Sequence, residues 1–150
     1  MIRAHNSIKV LITGTTGWLG GELAKKLAAQ GHTVVGLARR ATEIENVMSV
    51  QADLEDGASI TRVISKHGPF DVVVHLAGCL GWCDLAQAID VNVAGTRRVV
   101  QAAADAGCTK LVVASSIAAM AHTLETDSYE ESVYSDATVD EVFRGPGRLA

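Results

Sequence analysis

The sequence has few aromatic residues, few cysteines and no long apolar run. Phenylalanine, tyrosine and tryptophan make up 4% of the 150 residues, whereas hydrophobic residues make up 48%. Small and β-branched side chains therefore supply most of the apolar surface, which suits a parallel sheet that is buried on both faces and covered by alanine-rich helices. A chain of this length is the size of one domain and buries about 68–70% of its unfolded surface.

The three cysteines, Cys79, Cys83 and Cys108, are odd in number and lack the spacing of a zinc site. We therefore expect neither a disulfide framework nor a bound metal. Residues 1–10 contain no apolar stretch that could act as a secretory signal or span a membrane. The expected setting is the cytoplasm, with no membrane partner.

Basic residues do not cluster along the chain. Arg39-Arg40 and Arg97-Arg98 are isolated pairs, whereas a protein that binds nucleic acid needs a clustered basic face. Negative charge is concentrated near the C-terminus, because residues 125–150 hold seven of the 17 acidic residues and two of the 13 basic ones. We expect no nucleic-acid partner.

Apolar runs and amphipathic segments alternate as far as residue 121. Five runs predict strands, at residues 8–12, 32–38, 46–51, 71–77 and 110–115. Three segments predict helices, at residues 19–30, 59–67 and 84–106. Strands joined by helical crossovers pair in parallel, and right-handed crossovers favour the strand order 3-2-1-4-5. The prediction is an α/β fold with a doubly wound parallel sheet of Rossmann type over residues 1–121, truncated before the later strands of such folds.

Residues 122–150 are polar and acidic and show no strand-like pattern. Thr138 and Glu141 have the spacing of a capping box, which would begin one short helix ending at Gly145-Pro146. The alternative is an irregular, partly disordered tail. The sequence leaves both interpretations open.

The turn after the first predicted strand has the glycine spacing of a dinucleotide-binding loop. Gly14 would let the chain turn sharply, Gly17 would let backbone N–H groups approach a pyrophosphate, and Gly20 would let helix and strand pack closely. The positive end of the next helix dipole would then point at the phosphates. Glycines that serve only a tight turn are the alternative. The residues of this segment that we expect at the dinucleotide are Gly14, Thr16, Gly17, Trp18, Leu19 and Gly20.

The end of the second predicted strand bears on which dinucleotide is bound. An acidic side chain there would bind the ribose 2′-hydroxyl of NAD(H) and repel a 2′-phosphate. The chain has Ala38 at this place, followed by Arg39, whose guanidinium can bind a phosphate through two hydrogen bonds. We therefore favour NADP(H) over NAD(H), with a pair of solvated arginines as the alternative.

Five segments resemble the extended branch of the short-chain dehydrogenase/reductase superfamily, the NAD-dependent epimerases and dehydratases. They lie in the family's order, at residues 13–20, 52–54, 71–78, 92–96 and 112–116. The resemblance implies NAD(P)-dependent oxidation or reduction of a hydroxyl or carbonyl substrate. The substrate itself cannot be chosen from these segments.

The same resemblance implies roles for residues beyond the glycine turn. Asp53 would accept a hydrogen bond from the adenine amino group, and Leu54 would lie against the ring. Leu76, Ala77 and Gly78 would line the cofactor's ribose. Judged without the family, Asp53 is a surface acid before a turn.

Catalytic roles follow in the same way. Asn92 would hold the active-site architecture through its amide, and the Ser116 hydroxyl would bind the substrate oxygen, with Ser115 beside it at the cofactor. His75 lies in an apolar strand, and we interpret it as a core histidine whose polar atoms are hydrogen-bonded.

The family's chemistry also uses a tyrosine and a lysine four residues later, one helical turn apart. The lysine lowers the pKa of the tyrosine, which exchanges a proton with the substrate. Here Tyr129 and Tyr134 are followed at that spacing by Val133 and Thr138, and no lysine follows Lys110.

Two interpretations therefore remain. The chain is the NAD(P)-binding part of a truncated or frame-shifted enzyme and is inactive alone, or it is a non-catalytic NADP(H)-binding sensor or subunit. The sequence is also compatible with a homodimer, because the helix at 84–106 would present Val91, Val99 and Val100 outward if neighbouring elements were lost.

Overall fold

The computed structural model describes residues 7–79 and 83–116. Five strands are present in this part: β1 Lys9–Thr13, β2 Thr33–Ala38, β3 Val47–Gln51, β4 Val72–His75 and β5 Leu111–Val113. The helices are α1 Trp18–Ala29, α2 Gly57–His67, α3 Leu85–Ile89 and α4 Thr96–Asp105, with a π-helical turn at Asp90–Gly95 that joins α3 to α4. The predicted capping box at Thr138 and the boundary at residue 121 lie outside the described residues.

The five strands form one parallel sheet in the order β3-β2-β1-β4-β5. This arrangement confirms the predicted fold class and strand order. Leu11 of β1 lies between Val35 of β2 and Val73 of β4. The strand order reverses between β1 and β4, and open α/β sheets bind ligands at such a reversal, beyond the carboxyl ends of the strands.

Each face of the sheet has its own apolar core, because alternate side chains of a strand point to opposite faces. Leu11, Val35 and Val73 pack with Ile60 and Ile64 of α2 on one face. On the other face Val10, Ile12, Val34 and Val74 pack with Ala24 of α1. Burial on both faces explains why the strands are continuous apolar runs.

The predicted helix at 84–106 is present as α3, the π turn and α4. The Asp84 carboxylate begins it by accepting a hydrogen bond from the Gln87 N–H at 2.8 Å. Val99 and Val100 are buried, so they do not face outward as they would if neighbouring elements were lost. Val99 belongs to the same apolar core as the buried residues of α2. Val91 is partly buried and packs against this core.

The expectation that the cysteines form no disulfide framework is wrong for one pair of them. Cys79 and Cys83 are joined by a disulfide, whereas Cys108 is free. Their Cα atoms lie 6.5 Å apart, within the range that a disulfide spans. Among residues 7–79 and 83–116, no helix is long and apolar enough to cross a membrane.

Candidate functional site

A cavity of about 590 Å³ lies beyond the carboxyl ends of β1, β2 and β4. The turn after β1 lines it with Gly14, Thr16 and Gly17, and the end of β2 lines it with Leu37, Ala38 and Arg39. The remaining lining residues follow β3 and β4 or belong to the segment around α3: Ala52, Asp53, Leu54, Leu76, Ala77, Gly78, Cys79, Cys83, Gln87 and Val91. The cavity therefore lies at the reversal of strand order, where the sequence predicts the dinucleotide.

The backbone at Gly14 and Gly20 leaves no room for side chains. Gly14 has φ of +79°, a conformation that favours glycine, and its N–H donates to the Leu37 carbonyl at 2.8 Å. A Cβ at Gly14 would lie 2.8 Å from the Ala77 nitrogen, and one at Gly20 would lie 2.4 Å from the Gly14 oxygen. These two glycines therefore set the path of the turn and the closeness of α1 to it.

Gly17 has a different environment. It is the N-cap of α1, its φ of −82° is open to any residue, and a Cβ there would lie 3.2 Å from the Gly14 oxygen. Gly17 has no side chain that could cap α1, and the first turn of α1 contains no acidic residue. The first N–H groups of a helix lack acceptors within the helix and carry its positive partial charge. Gly17 thus leaves open a place where an anion can approach these groups.

Not all predicted residues of this turn reach the cavity. Thr16 lines it, whereas Trp18, Leu19 and Gly20 are not among the lining residues. The Trp18 side chain is 83% exposed, and Leu19 is also exposed. Ser115 is exposed and follows β5, outside the compact unit that ends at Val113 and contains the cavity. The roles predicted for Ser115 and Ser116 stay predictions.

Asp53 and Leu54 lie in a tight turn between β3 and α2. One oxygen of the Asp53 carboxylate accepts a hydrogen bond from the Glu55 N–H at 3.1 Å. The other oxygen has no partner among the described residues, and both Asp53 and Leu54 line the cavity. The carboxylate is therefore oriented by its own turn and has one oxygen available for a ligand.

Ala38 and Arg39 line the cavity at the end of β2. Ala38 is buried, and the Arg39 side chain is exposed. Arg39 forms no ion pair with the part of the chain that the structure describes. Arg40 is exposed as well but does not line the cavity. Arg39 is thus the one residue of this pair that lines the cavity.

His75 ends β4 and is 2% exposed. Its Nε2 lies 3.0 Å from the Thr96 hydroxyl, which itself donates to the Asn92 carbonyl at 2.7 Å. Because that hydroxyl proton is already used, Nε2 is the donor and Nδ1 is unprotonated. The Thr13 hydroxyl therefore donates to Nδ1 at 2.7 Å. The interpretation of His75 as a hydrogen-bonded core residue is confirmed.

The same network shapes the backbone that lines the cavity. The Thr13 oxygen also accepts hydrogen bonds from the N–H groups of Leu76 and Ala77, both at 3.1 Å. Thr13 thus joins the end of β1 to the residues that follow β4. Burial lowers the pKa of His75 from 6.5 to about 4, so the imidazole is neutral at physiological pH.

The Asn92 side chain is hydrogen-bonded to the backbone of Cys79, which follows Gly78. Its side-chain oxygen accepts from the Cys79 N–H at 2.7 Å, and its side-chain nitrogen donates to the Cys79 carbonyl at 2.9 Å. A Cβ at Gly78 would lie 3.0 Å from the same Asn92 oxygen. The amide therefore sets the backbone directly after Gly78, which is the kind of role that the family resemblance implies for it.

The unfolding free energy is expected to fall between pH 6.5 and about pH 4 because His75 titrates differently in the two states. The imidazole titrates near 6.5 in the unfolded chain and near 4 in the fold. The unfolded state therefore takes up the proton first, so this contribution is complete above pH 6.5 and is lost as the pH falls through 4. One pKa unit corresponds to about 1.4 kcal/mol, which makes the total loss about 3 kcal/mol.

Urea unfolding of the parent and of His75→Gln at several pH values tests this expectation. The glutamine amide does not titrate, so the variant should lack this part of the pH dependence whatever its absolute stability. Equal slopes for the two proteins across the window would show that His75 is not the group responsible.

The curated relatives include an epimerase and an NADPH-dependent reductase. UDP-glucose 4-epimerase of Mycolicibacterium smegmatis is 33% identical over 126 residues, which cover 73% of this chain and 39% of that protein. NADPH-dependent pterin aldehyde reductase of Arabidopsis thaliana is 32% identical over 125 residues, which cover 65% of this chain and 52% of that protein. The chain thus spans about 39% to 52% of the length of these two relatives.

The fold also occurs in solved structures. A short-chain dehydrogenase/reductase superfamily protein of Agrobacterium tumefaciens, solved with bound NAD, is 34% identical with a TM-score of 0.65. The match covers 73% of this chain and 33% of that one. The model of the NAD dependent epimerase/dehydratase family matches residues 10–139. With most of its length matched in this way, and with a glycine-lined cavity at the expected edge of a 3-2-1-4-5 sheet, the chain belongs to the NAD dependent epimerase/dehydratase family.

Proposed function

We propose that the chain binds an NAD(P) dinucleotide in the cavity, as the cofactor-binding part of an enzyme that oxidises or reduces a hydroxyl or carbonyl group. The observation that carries the proposal is the glycine turn at the uncapped N-terminus of α1. Among residues 7–79 and 83–116, no side chain lies within 4 Å of the place that a Gly17 Cβ would take, and the helix offers its first N–H groups there. The pyrophosphate would bind at this place.

The rest of the cavity fits the two ends of such a molecule. A volume of about 590 Å³ lies within the usual range for cofactor sites, about 300–1,000 Å³. Asp53 and Leu54 would hold the adenine, and the backbone of Leu76, Ala77 and Gly78 would lie against ribose. Hydride exchange is the chemistry that a bound nicotinamide supplies. The residues of this chain bind and orient it.

We favour NADP(H) over NAD(H) on the basis of the end of β2. A site selective for NAD places a carboxylate against the ribose 2′-hydroxyl, and Ala38 has none. Arg39 lines the cavity beside it and is exposed, and a guanidinium can bind a 2′-phosphate with two parallel hydrogen bonds. The relatives include one named for NADPH and one solved with NAD, so both cofactors occur among them.

Arg39→Ala is expected to reduce the affinity for NADP by about 1–3 kcal/mol, the worth of a charge-assisted hydrogen bond, and to leave NAD binding nearly unchanged. Calorimetric titration with both cofactors at matched salt measures the two affinities. Arg40→Ala is the matched control, because it removes the same charge one residue away and outside the lining. A parent that prefers NAD, or equal effects of the two variants, would contradict the assignment.

The second candidate is a non-catalytic NADP(H)-binding sensor or subunit. The observation that favours it is the absence of a tyrosine followed by lysine at the fourth position anywhere in the 150 residues. Both candidates share the same cofactor site. The first candidate predicts that a longer polypeptide with the tyrosine and the lysine turns over substrate. The second candidate predicts no turnover.

A further inference from the structure

Arg98 of α4 connects the π turn to the turn at Asp53 and Leu54. Its Nη1 donates to the Leu54 carbonyl at 2.7 Å, and its Nη2 lies 2.8 Å from the Asp90 carboxylate. The Arg98 side chain is 31% exposed and that of Asp90 is 41% exposed. Ion pairs with this exposure contribute little stability by themselves. We interpret Asp90 as orienting the guanidinium, which then holds the Leu54 carbonyl.

The turn that Arg98 holds is bonded within itself. The Asp53 carbonyl accepts from the Asp56 N–H at 3.1 Å, and the Asp53 N–H lies 3.2 Å from the Ser59 hydroxyl oxygen. The Asp53 carboxylate accepts from the Glu55 N–H. These hydrogen bonds tie the N–H, the carbonyl and the carboxylate of Asp53 into the same short turn as the Leu54 carbonyl. A contact that shifts the Leu54 carbonyl therefore also shifts the Asp53 carboxylate.

The π turn brings α4 close to this unit. A Cβ at Gly95 would lie 2.9 Å from the Leu54 Cβ, so only glycine allows the approach. Gly57, at the start of α2, lies against the Arg98 stem, where a Cβ would be 3.4 Å from its Cδ. Short π segments inside helices often occur at functional sites. Here the segment places Arg98 over the Leu54 carbonyl and Asn92 on Cys79, at two parts of the same cavity.

From these contacts we propose that Arg98 is a positioning residue for the adenine end of the cavity. The inference rests on the proposed dinucleotide binding and adds a residue that makes no contact with the ligand. Arg98 places the second oxygen of the Asp53 carboxylate, the one not bonded to the Glu55 N–H, where it accepts a hydrogen bond from the adenine amino group. Loss of Arg98 therefore weakens recognition of that amino group more than binding of the phosphates.

The test compares NADP with its hypoxanthine analogue, in which a carbonyl oxygen replaces the adenine amino group. A hydrogen bond to a charged group is worth about tenfold or more in affinity. We expect the parent to prefer NADP by about tenfold. In Arg98→Ala this preference should fall to about twofold or less, mainly through weaker NADP binding. Arg98→Lys should also lose most of it, because one ammonium cannot reproduce the planar fork between Leu54 and Asp90.

Arg97→Ala is the matched control, since Arg97 is exposed, carries the same charge and is not bonded to the turn. It should retain the parent's preference. Calorimetric titrations with both ligands are paired with urea unfolding, and Arg98→Lys keeps the test usable if the alanine variant does not fold.

Three outcomes overturn the inference. Equal weakening of both ligands in the Arg98 variants would assign the residue a purely structural role. A parent without preference for the amino group would remove the role of Asp53 on which the inference depends. Absence of binding of either ligand to the parent would refute the proposed function itself, and the inference with it.

Discussion

Gly17→Val is expected to abolish dinucleotide binding and to leave most of the folding stability in place. Gly17 has an ordinary backbone conformation, and its Cβ would lie 3.2 Å from the Gly14 oxygen, a much milder overlap than the 2.4 Å that a Cβ at Gly20 would have to the same atom. The branched side chain would then occupy the space where a pyrophosphate meets the first N–H groups of α1. We expect a cost of about 1 kcal/mol from the change at the N-cap, and no measurable affinity.

Gly20→Ala is the informative comparison for this variant. The added methyl group would lie 2.4 Å from the Gly14 oxygen, which is part of the backbone and cannot swing away. We therefore expect a loss of stability of about 1–3 kcal/mol or more from the forced shift of α1. Urea unfolding and calorimetric titration of both variants separate the two roles. A valine variant that binds as tightly as the parent would mean that the glycines serve only a tight turn.

The 150-residue chain is expected to catalyse no hydride transfer, whichever alcohol or ketone it is offered. Hydride transfer changes the charge on the substrate oxygen, and a positioned acid or base is worth about 10²–10⁴ in rate. Tyr129 and Tyr134 have no lysine four residues later, so the sequence gives neither of them the cation that the family's chemistry places one helical turn after its tyrosine. The missing lysine also removes a cation that would orient the nicotinamide ribose, and orientation contributes to rate as well.

The measurement follows the absorbance of the reduced nicotinamide over a panel of alcohols and ketones, in samples whose cofactor binding has been confirmed. Turnover that survives purification and disappears in Ser116→Ala would contradict the expectation. Tyr129→Phe and Tyr134→Phe would then identify the tyrosine involved. If the chain binds cofactor without turnover, a longer polypeptide with the tyrosine–lysine pair should be active only if this segment is the cofactor-binding part of an enzyme.

Helix and strand positions were predictable because they depend on patterns that repeat within a few residues. The helix predicted at 19–30 is found at Trp18–Ala29. The one predicted at 59–67 begins earlier, at Gly57, because the Asp56 carboxylate caps it by accepting from the Ala58 and Ser59 N–H groups. The pairing partner of each strand followed from the rules for crossover handedness rather than from any one residue.

The sequence was also enough to predict that several separate segments surround one cavity. These are the glycine turn, Arg39, Asp53 and residues 76–78. In a parallel sheet the segments that follow the strands all emerge at the same edge, so residues after β1, β2, β3 and β4 come together there. The order of strands and helices along the chain was therefore enough to place these residues at one edge of the sheet, and no side-chain contact had to be known.

The sequence by itself determined the α/β class, the strand order and the edge at which a ligand would bind, because periodicity, glycine spacing and crossover handedness are local or topological properties. Only the tertiary structure decided which polar groups pair across the fold. Thr13 and His75 are 62 positions apart, and Leu54 and Arg98 are 44 apart. Such pairs have no spacing rule, because each partner is chosen by packing. Three features depend on contacts that form when helices meet the sheet. They are the tautomer of the His75 imidazole, the burial of Val99 and Val100, and the hydrogen bond from Arg98 to the Leu54 carbonyl.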